Sequence, residues 1–383
     1  MFYSLCVYFI TFVISLLCTY GYQKVYDIEP KSETNVKYAI YKFIFFMGIV
    51  VPPVLIATFR GDTVGTDYKS YSIIYDSIKR YSLKDYLVVR QRGTWGIEYG
   101  YQLLCRLAYK INDKFILVNA FCEIIIMLFM FKGSLDYHKK LNVNMVYILF
   151  FYYMMEFSYG FNAVRFSMSM AVFFYSYQYI IDKKLIRYLI CCVVAFLFHE
   201  TSIVLPIFYC VNIFSNKSMK VFVRAILVAG IVIVLVFFRD IVRFFSNISI
   251  LSKYTSVGIY SLDTANNIGF GAWIYILLLL GPVIVFWSNM TKKKTEIVSL
   301  LVGCCAYIPF RFLGYYNQWI SRLMYFPEIC VSVAAAYLLV SVNRNENRKL
   351  IKWYYFIVCV GYYIFNYVVN KYSEVYPFTW IQM

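Results

Sequence analysis

The amino-acid sequence predicts an all-α, polytopic membrane protein with about 10–14 transmembrane helices and a long external loop after the second. Three observations predict it. Of 383 residues, 62% are hydrophobic and only 15% charged, which is too apolar for a soluble domain. Apolar runs near the ~20 residues needed to cross a hydrocarbon core recur along the chain, separated by short basic clusters. No segment keeps a period-two alternation over the roughly ten residues of a barrel strand, which speaks against a transmembrane barrel.

The spans follow in order at about 2–20, 38–58, 115–131, 143–158, 164–181, 221–238, 272–290, 296–313, 322–341 and 353–370. Met1–Tyr20 has neither a basic leading region nor a small-residue cleavage site, so it is expected to stay as the first membrane helix. Clusters at Lys24–Lys42, Lys132–Lys140, Lys183–Arg187, Lys217–Arg224, Lys292–Lys294 and Arg344–Lys352 read as cytoplasmic loops. On that parity both termini lie outside, and so does the polar segment 59–114, read as an external loop carrying amphipathic, interfacial helices. Residues 1–383 are taken as a single integral membrane domain.

Residues 188–214 lie between two basic flanks, so the chain should cross there an even number of times, yet two full spans do not fit. A hairpin of two short helices, about 188–198 and 201–214, solves this with His199-Glu-Thr-Ser202 at its tip. An arm of that length rises only about 17 Å, so the tip stays at membrane depth, where broken backbone is tolerated only beside a cavity. One long tilted helix over 188–214 is the rival layout.

Composition excludes other classes. Lys and Arg number 37 against 20 Asp and Glu, a formal charge of +17, but the cations fall in loops as topology signals and form no nucleic-acid-binding stripe. The 11 cysteines lie mostly inside apolar runs with no Cys-x-x-Cys spacing, so neither a disulfide framework nor a metal knuckle is indicated. The chain has two histidines and no ligand spacing around either, so no metal and no cofactor is expected.

Five polar constellations share the expected outer face. The first is Arg60-Gly-Asp-Thr-Val-Gly-Thr-Asp-Tyr68, where two glycines permit close backbone approach beside Arg60, Asp62, Thr66, Asp67 and Tyr68. It reads equally as a capped turn, with Asp67 opening a helix that carries Tyr68, Tyr71 and Tyr75. The second, Gly96–Arg106, holds Glu98 and Tyr99, able to meet sugar hydroxyls and sugar faces; it also reads as an interfacial helix anchored by Trp95, Tyr99 and Tyr101. The third, Tyr159–Ser167, places Asn162 and Arg165 at a helix start, where the macrodipole opposes a cation and a compensating anion is expected. The fourth is His199 and Glu200, intramembrane ionisable groups costly enough to suggest function. The fifth, Arg311–Arg322, repeats the Arg165 placement with Arg322, and these arginines together suit a diphosphate. No phosphate-binding loop lies on the cytoplasmic side, so the expected substrate is anionic, lipid-borne and presented outside.

In order and spacing, Gly65-Thr-Asp-Tyr-x-x-Tyr71, Glu98-Tyr-Gly-Tyr101, Asn162-Ala-Val-Arg165, Phe198-His-Glu-Thr-Ser202 and the late Arg322 resemble the EpsG family over roughly residues 58–340. Its members resemble Wzy-type polysaccharide polymerases. The resemblance implies a GT-C-like fold and a metal-independent, inverting glycosyltransferase. It further implies a reaction on undecaprenyl-diphosphate-linked oligosaccharide repeat units, donor and acceptor alike, at the outer face of the cytoplasmic (inner) membrane. The product would be a capsule, exopolysaccharide or O-antigen, made beside a flippase and a chain-length regulator. Arg165, His199, Arg322 and Asp67 are the implied catalytic positions, with His199 the best-placed base and Asp67 or Glu200 as alternatives. Arg60, Asp62, Thr66, Tyr68, Glu98, Tyr99, Asn162, Glu200 and Arg311 are the implied substrate contacts. The chain departs from many relatives in carrying Glu200 directly after the histidine. An O-antigen-ligase-type enzyme, a glycosyltransferase adding one sugar to a lipid-linked acceptor, and a lipid-oligosaccharide flippase stay open as alternatives.

Overall fold

The computed structural model describes residues 2–30, 36–82, 85, 97–215, 220–244, 269–294, 296–316, 320–342 and 345–381. Trp95, Gly96, Lys217, Arg344, residues 245–268 and Asn317–Trp319 lie outside the described residues. Among those described, the chain is all helix, with no strand beyond one isolated bridge between Arg60 and Trp380. Two compact units emerge. The first holds residues 1–178, 186–205 and 348–383, and the second 179–185 and 206–347.

In the first unit, α1 (Phe2–Ile28) packs on α2 (Val36–Phe59) and on α6 (Met145–Met155). Ser4, Tyr8, Thr11, Phe12, Ser15 and Thr19 recur at helical spacing, so one stripe of α1 is buried while its other side stays apolar and exposed, as a lipid-facing helix requires. Ser15 donates to the Ile49 carbonyl of α2 (2.9 Å) and pairs with the Tyr153 hydroxyl of α6 (2.6 Å), satisfying small polar groups at a tight helix interface. Aromatic rings fill the rest: Phe12 stacks on Tyr153 with centroids 4.7 Å apart and meets Phe157 edge-on at 5.3 Å.

The amphipathic helices expected in 59–114 are α3 (Tyr68–Arg80) and α4 (Tyr99–Ile111), each packed on the other and burying one face. On α3 that face is Tyr68, Tyr71, Tyr75 and Ile78, and on α4 it is Tyr101, Gln102, Cys105 and Ala108. The opposite stripe of α4, Tyr99, Leu103, Leu107 and Ile111, is exposed and mostly apolar. That pattern belongs to a helix lying along an interface.

Several expected spans run longer or break. Helix α5 covers Ile116–Leu141 rather than stopping near 131, because Lys132, Lys139 and Lys140 end the apolar run yet are good helix formers. The 143–158 span is α6 followed by the short α7 (Phe157–Gly160), broken at Glu156. Next, α8 (Val164–Ile181) leads to α9 (Leu185–Phe198), after which Glu200–Cys210 is a 3-10 helix passing into α10 (Val211–Phe214). The chain reverses at His199. The Tyr188 hydroxyl donates to the Leu205 carbonyl at 2.5 Å, whereas 17 residues of continuous helix would hold those positions about 25 Å apart.

In the second unit, α11 (Val221–Val236) bends by 72° into α12 (Phe238–Phe244), and α13 (Phe270–Val285) bends by 51° into α14 (Trp287–Lys293). Helices α15 (Ile297–Cys305) and α16 (Tyr307–Leu313) precede a 3-10 turn (Ile320–Met324) and α17 (Tyr325–Ser341), the unit's most buried helix. The chain then re-enters the first unit with α18 (Asn345–Tyr363), which ends in a π turn over Ile364–Val369. By length and apolarity alone, four helices among the described residues can cross a membrane, or up to six if each bent pair is one span. Shorter apolar helices, α6 and α9 among them, fall below that length. The chain is a multi-pass membrane protein.

Candidate functional site

The first unit has two distinguishable ends. At one, the Asp27 carboxylate of α1 meets His138 of α5 (2.7 Å), Gln23 accepts from the Met145 amide (2.9 Å), and Lys42 pairs with Glu29 (2.7 Å). Lys132, Lys139 and Lys140 of α5 belong to this end, as does Lys352 of α18, whose ammonium lies 5.6 Å from the Tyr147 ring centre. The other end gathers residues 60–68, 98–100, 159–165, 199–202 and 373–380. Four of the five constellations expected to matter are there.

The loop after α2 is held from two sides. Gly61 and Gly65 donate to the carbonyls of Thr379 (2.7 Å) and Glu374 (3.1 Å), so the C-terminal segment braces it. Gly65 has φ +96°, and a Cβ on it would lie 2.8 Å from the Phe161 carbonyl oxygen, so only glycine fits. Asn162 accepts from the Asp67 amide (3.0 Å) and from the Thr66 hydroxyl, tying this loop to the turn before α8. Asp67 sits at the N-cap position of α3 without capping it through its side chain. Asp62 is exposed and lies 3.9 Å from Lys69.

Arg60 is only 2% exposed. Its guanidinium donates to the Ala57 carbonyl and to Asn119 (3.3 Å), and lies 5.4 Å from the ring centre of Tyr68 and 4.9 Å from that of Phe161. So placed, Arg60 and Tyr68 bind the loop to α5 and to the turn before α8, and Asn162 likewise works as a cross-tie.

Glu98 is the junction of the site. Its Oε2 forms an ion pair with Arg165 of α8, and its Oε1 accepts the Glu200 amide (3.2 Å) at the reversal of the chain. The carboxylate is 4% exposed. Burial by itself pushes its pKa up, but the Arg165 guanidinium outweighs that and holds it below the usual carboxylate range. The anion that Arg165 required at a helix start is thus supplied from within the chain. Arg165 also lies 5.6 Å from the Tyr71 ring centre. Gly100 explains the glycine of the Glu-Tyr-Gly-Tyr stretch, since a Cβ there would come within 2.7 Å of the Leu197 carbonyl. Tyr99 itself points away, 42% exposed.

His199 accepts at Nδ1 from the Thr201 hydroxyl (2.7 Å) and the Thr201 amide (3.3 Å), and the Phe166 ring stands edge-on to it at 5.5 Å. Ser202 pairs with Ser169 one turn into α8, fixing the tip at that depth.

Arg311 and Arg322 belong to the second unit. Arg311 reaches from α16 to the Met324 sulfur (2.6 Å), which sets it against the 3-10 turn that carries Arg322. Reading the sequence passed over Glu328, 1% exposed in the first turn of α17, where an acid at a helix N-terminus was the available signal. It also passed over Ser169, Asn119 and the bracing segment 373–380. Only the aromatic and proline content of that tail, Tyr372 to Trp380, hinted at a docked structure.

A protein-family model, that of the EpsG family, matches residues 43–380. No curated protein and no solved structure matches the chain.

Proposed function

Since the chain belongs to the EpsG family, a Wzy-like polymerase family, we propose that it joins oligosaccharide repeat units carried on undecaprenyl diphosphate, at the exterior face of the cytoplasmic membrane. A polysaccharide polymerase-like role is what the family indicates. The observation that carries the finer reading is the junction of Glu98, Arg165 and the Glu200 amide, at the end of the first unit opposite Lys42, Lys132, Lys139, Lys140 and Lys352. Basic residues of short loops accumulate on the cytoplasmic side of membrane proteins, which supports a reading in which this junction faces outward, where lipid-linked repeats are presented.

In this reading a hydroxyl oxygen of the acceptor unit attacks the anomeric carbon of the donor. The new glycosidic bond forms as the bond from that carbon to the diphosphate oxygen breaks, and the electron pair leaves with the lipid diphosphate. Attack from the face opposite the leaving group inverts the anomeric centre. Negative charge grows on the departing oxygen, and Arg165, its guanidinium held in place by Glu98, stabilises it. Arg311 and Arg322 offer the second unit's cations for the same kind of group. The acceptor's proton passes to a base, for which the carboxylates of Asp67 and Glu200 and the imidazole of His199 are the candidates at this end. Asp62, Thr66 and Tyr99, the exposed members, are left to meet sugar. The polymer would serve a capsule, exopolysaccharide or O-antigen, with a flippase and a chain-length regulator as working partners.

Purified protein in detergent, given lipid-linked repeat units, should yield a ladder of products. Single-sugar addition would make it a simple glycosyltransferase, transfer to a different lipid a ligase, and no extension at all would return the flippase reading.

A further inference from the structure

We propose that His199 acts as a hydrogen-bond donor through Nε2–H and not as the base that takes the acceptor's proton. This rests on the polymerase reading for the identity of the reaction, but its first half is a statement about the chain alone.

The Thr201 backbone amide points its hydrogen at Nδ1 across 3.3 Å. An amide N–H can only donate, so Nδ1 carries no hydrogen in this structure. The Thr201 hydroxyl, 2.7 Å away, then also donates to the same nitrogen. A neutral imidazole has one N–H, and here it falls on Nε2. The arrangement is local and reinforced: the Ser202 amide donates to the His199 carbonyl at 3.1 Å, so side chain and backbone of His199 together close the first turn of the 3-10 helix at the reversal. The edge-on Phe166 ring at 5.5 Å fixes the imidazole plane.

A general base needs an open lone pair. The lone pair of Nδ1 is already filled by two donors, and Nε2 already holds its proton. To accept a proton at Nδ1 the imidazole would have to displace the Thr201 amide and undo the turn that also presents the Glu200 amide to Glu98. As a donor it needs no such change. A neutral N–H beside the Arg165–Glu98 pair suits the growing charge on a phosphate or ring oxygen. The base is then a carboxylate at the same end, Asp67 or Glu200.

Two histidines in the chain make the test direct. His138 is the internal reference, because its Nδ1 faces the Val143 carbonyl at 2.7 Å and must donate there, where the Nδ1 of His199 accepts. Nitrogen NMR of purified protein labelled with 15N-histidine, with His138→Gln to assign the signals, should show a bare Nδ1 and a protonated Nε2 for His199 beside a protonated Nδ1 for His138, whose Nε2 faces the Asp27 carboxylate. An Nδ1–H on His199 overturns the proposal. In the extension assay, His199→Gln keeps an N–H near the Nε2 position and should stay within about tenfold of wild type, whereas His199→Asn keeps only an Nδ1-like acceptor and should fall about 10²-fold or more. Asn active with Gln inactive, both intact in the membrane, also overturns it. A wild-type protein that yields no ladder removes the polymerase reading, while the tautomer remains decided by the spectrum.

Discussion

The two ends of the first unit are both charged, and they are built in opposite ways. At the lysine end Lys132 pairs with Asp136 one helical turn away, with half of the lysine side chain exposed. At the other end Arg60 and Glu98 are buried, and the ties of Glu98 join residues far apart in sequence, 67 positions for Arg165 and 102 for the Glu200 amide. Charge that only marks a side of the membrane needs no partner beyond water. Charge that is to meet a reacting group must be held still, and the chain spends long-range contacts to do so.

The largest expected break in that contrast is at Arg165. Arg165→Ala should lower polymer formation by about 10²–10³-fold, read as ladder intensity per membrane-inserted protein, because it removes the clamped cation. Arg165→Lys should not restore it, since a point charge cannot both pair with Glu98 and lie over Tyr71. Full ladders from Arg165→Ala would make the two ends equivalent.

Glu98→Gln comes next. It leaves a part-buried guanidinium without its carboxylate and should cost roughly 1.5–3 kcal/mol, measurable as a fall in thermal stability in detergent, with activity falling alongside. Its pH dependence has a definite sign. The folded-state pKa of Glu98 lies below the ordinary 4.5, so the unfolded chain binds its proton first as pH falls. The stabilisation is therefore complete above about 4.5, is lost as pH drops toward the lower folded value, and is absent in Glu98→Gln. A stability curve for the wild type that already declines between pH 7 and 5 because of this residue, by comparison with the variant, would contradict the clamp.

Gly65→Ala tests the brace rather than the charge. A Cβ at φ +96° and 2.8 Å from a carbonyl oxygen should cost about 1–3 kcal/mol and loosen the loop bearing Asp67. Native melting behaviour would mean that this loop yields easily.

The candidate residues stand out in the sequence by type, because Arg165 at a helix start, Glu98 in an aromatic stretch and His199 in an apolar run each break a local rule. Their partners do not. Nothing near Arg165 in sequence says that its anion is Glu98, and Arg60 and Asn162, read as ligand contacts, turn out to be engaged with the chain's own loops. The break of the chain at His199 followed from charge parity and length, two global constraints, whereas the extension of α5 to Leu141 did not, because the end of an apolar run says where the membrane stops and not where the helix does. The docking of segment 373–380 onto the loop after α2 joins opposite ends of the sequence, beyond the reach of any periodicity.

The smallest effect should come from Lys132→Ala. Its ammonium lies 3.0 Å from Asp136 in the weaker order, cation before acid along the helix, and exposed pairs of this kind contribute about 0.3–0.5 kcal/mol. Asp136 would not be stranded, since Gln178 donates to its other oxygen at 3.1 Å. Many further lysines mark the same end, so losing one should leave the orientation of the chain unchanged. Melting temperature and ladder length should both match wild type, and added salt should erase whatever difference is left. A loss of polymer approaching that of Arg165→Ala would mean that the lysine end takes part in the chemistry, and the division of labour between the two ends would have to be abandoned.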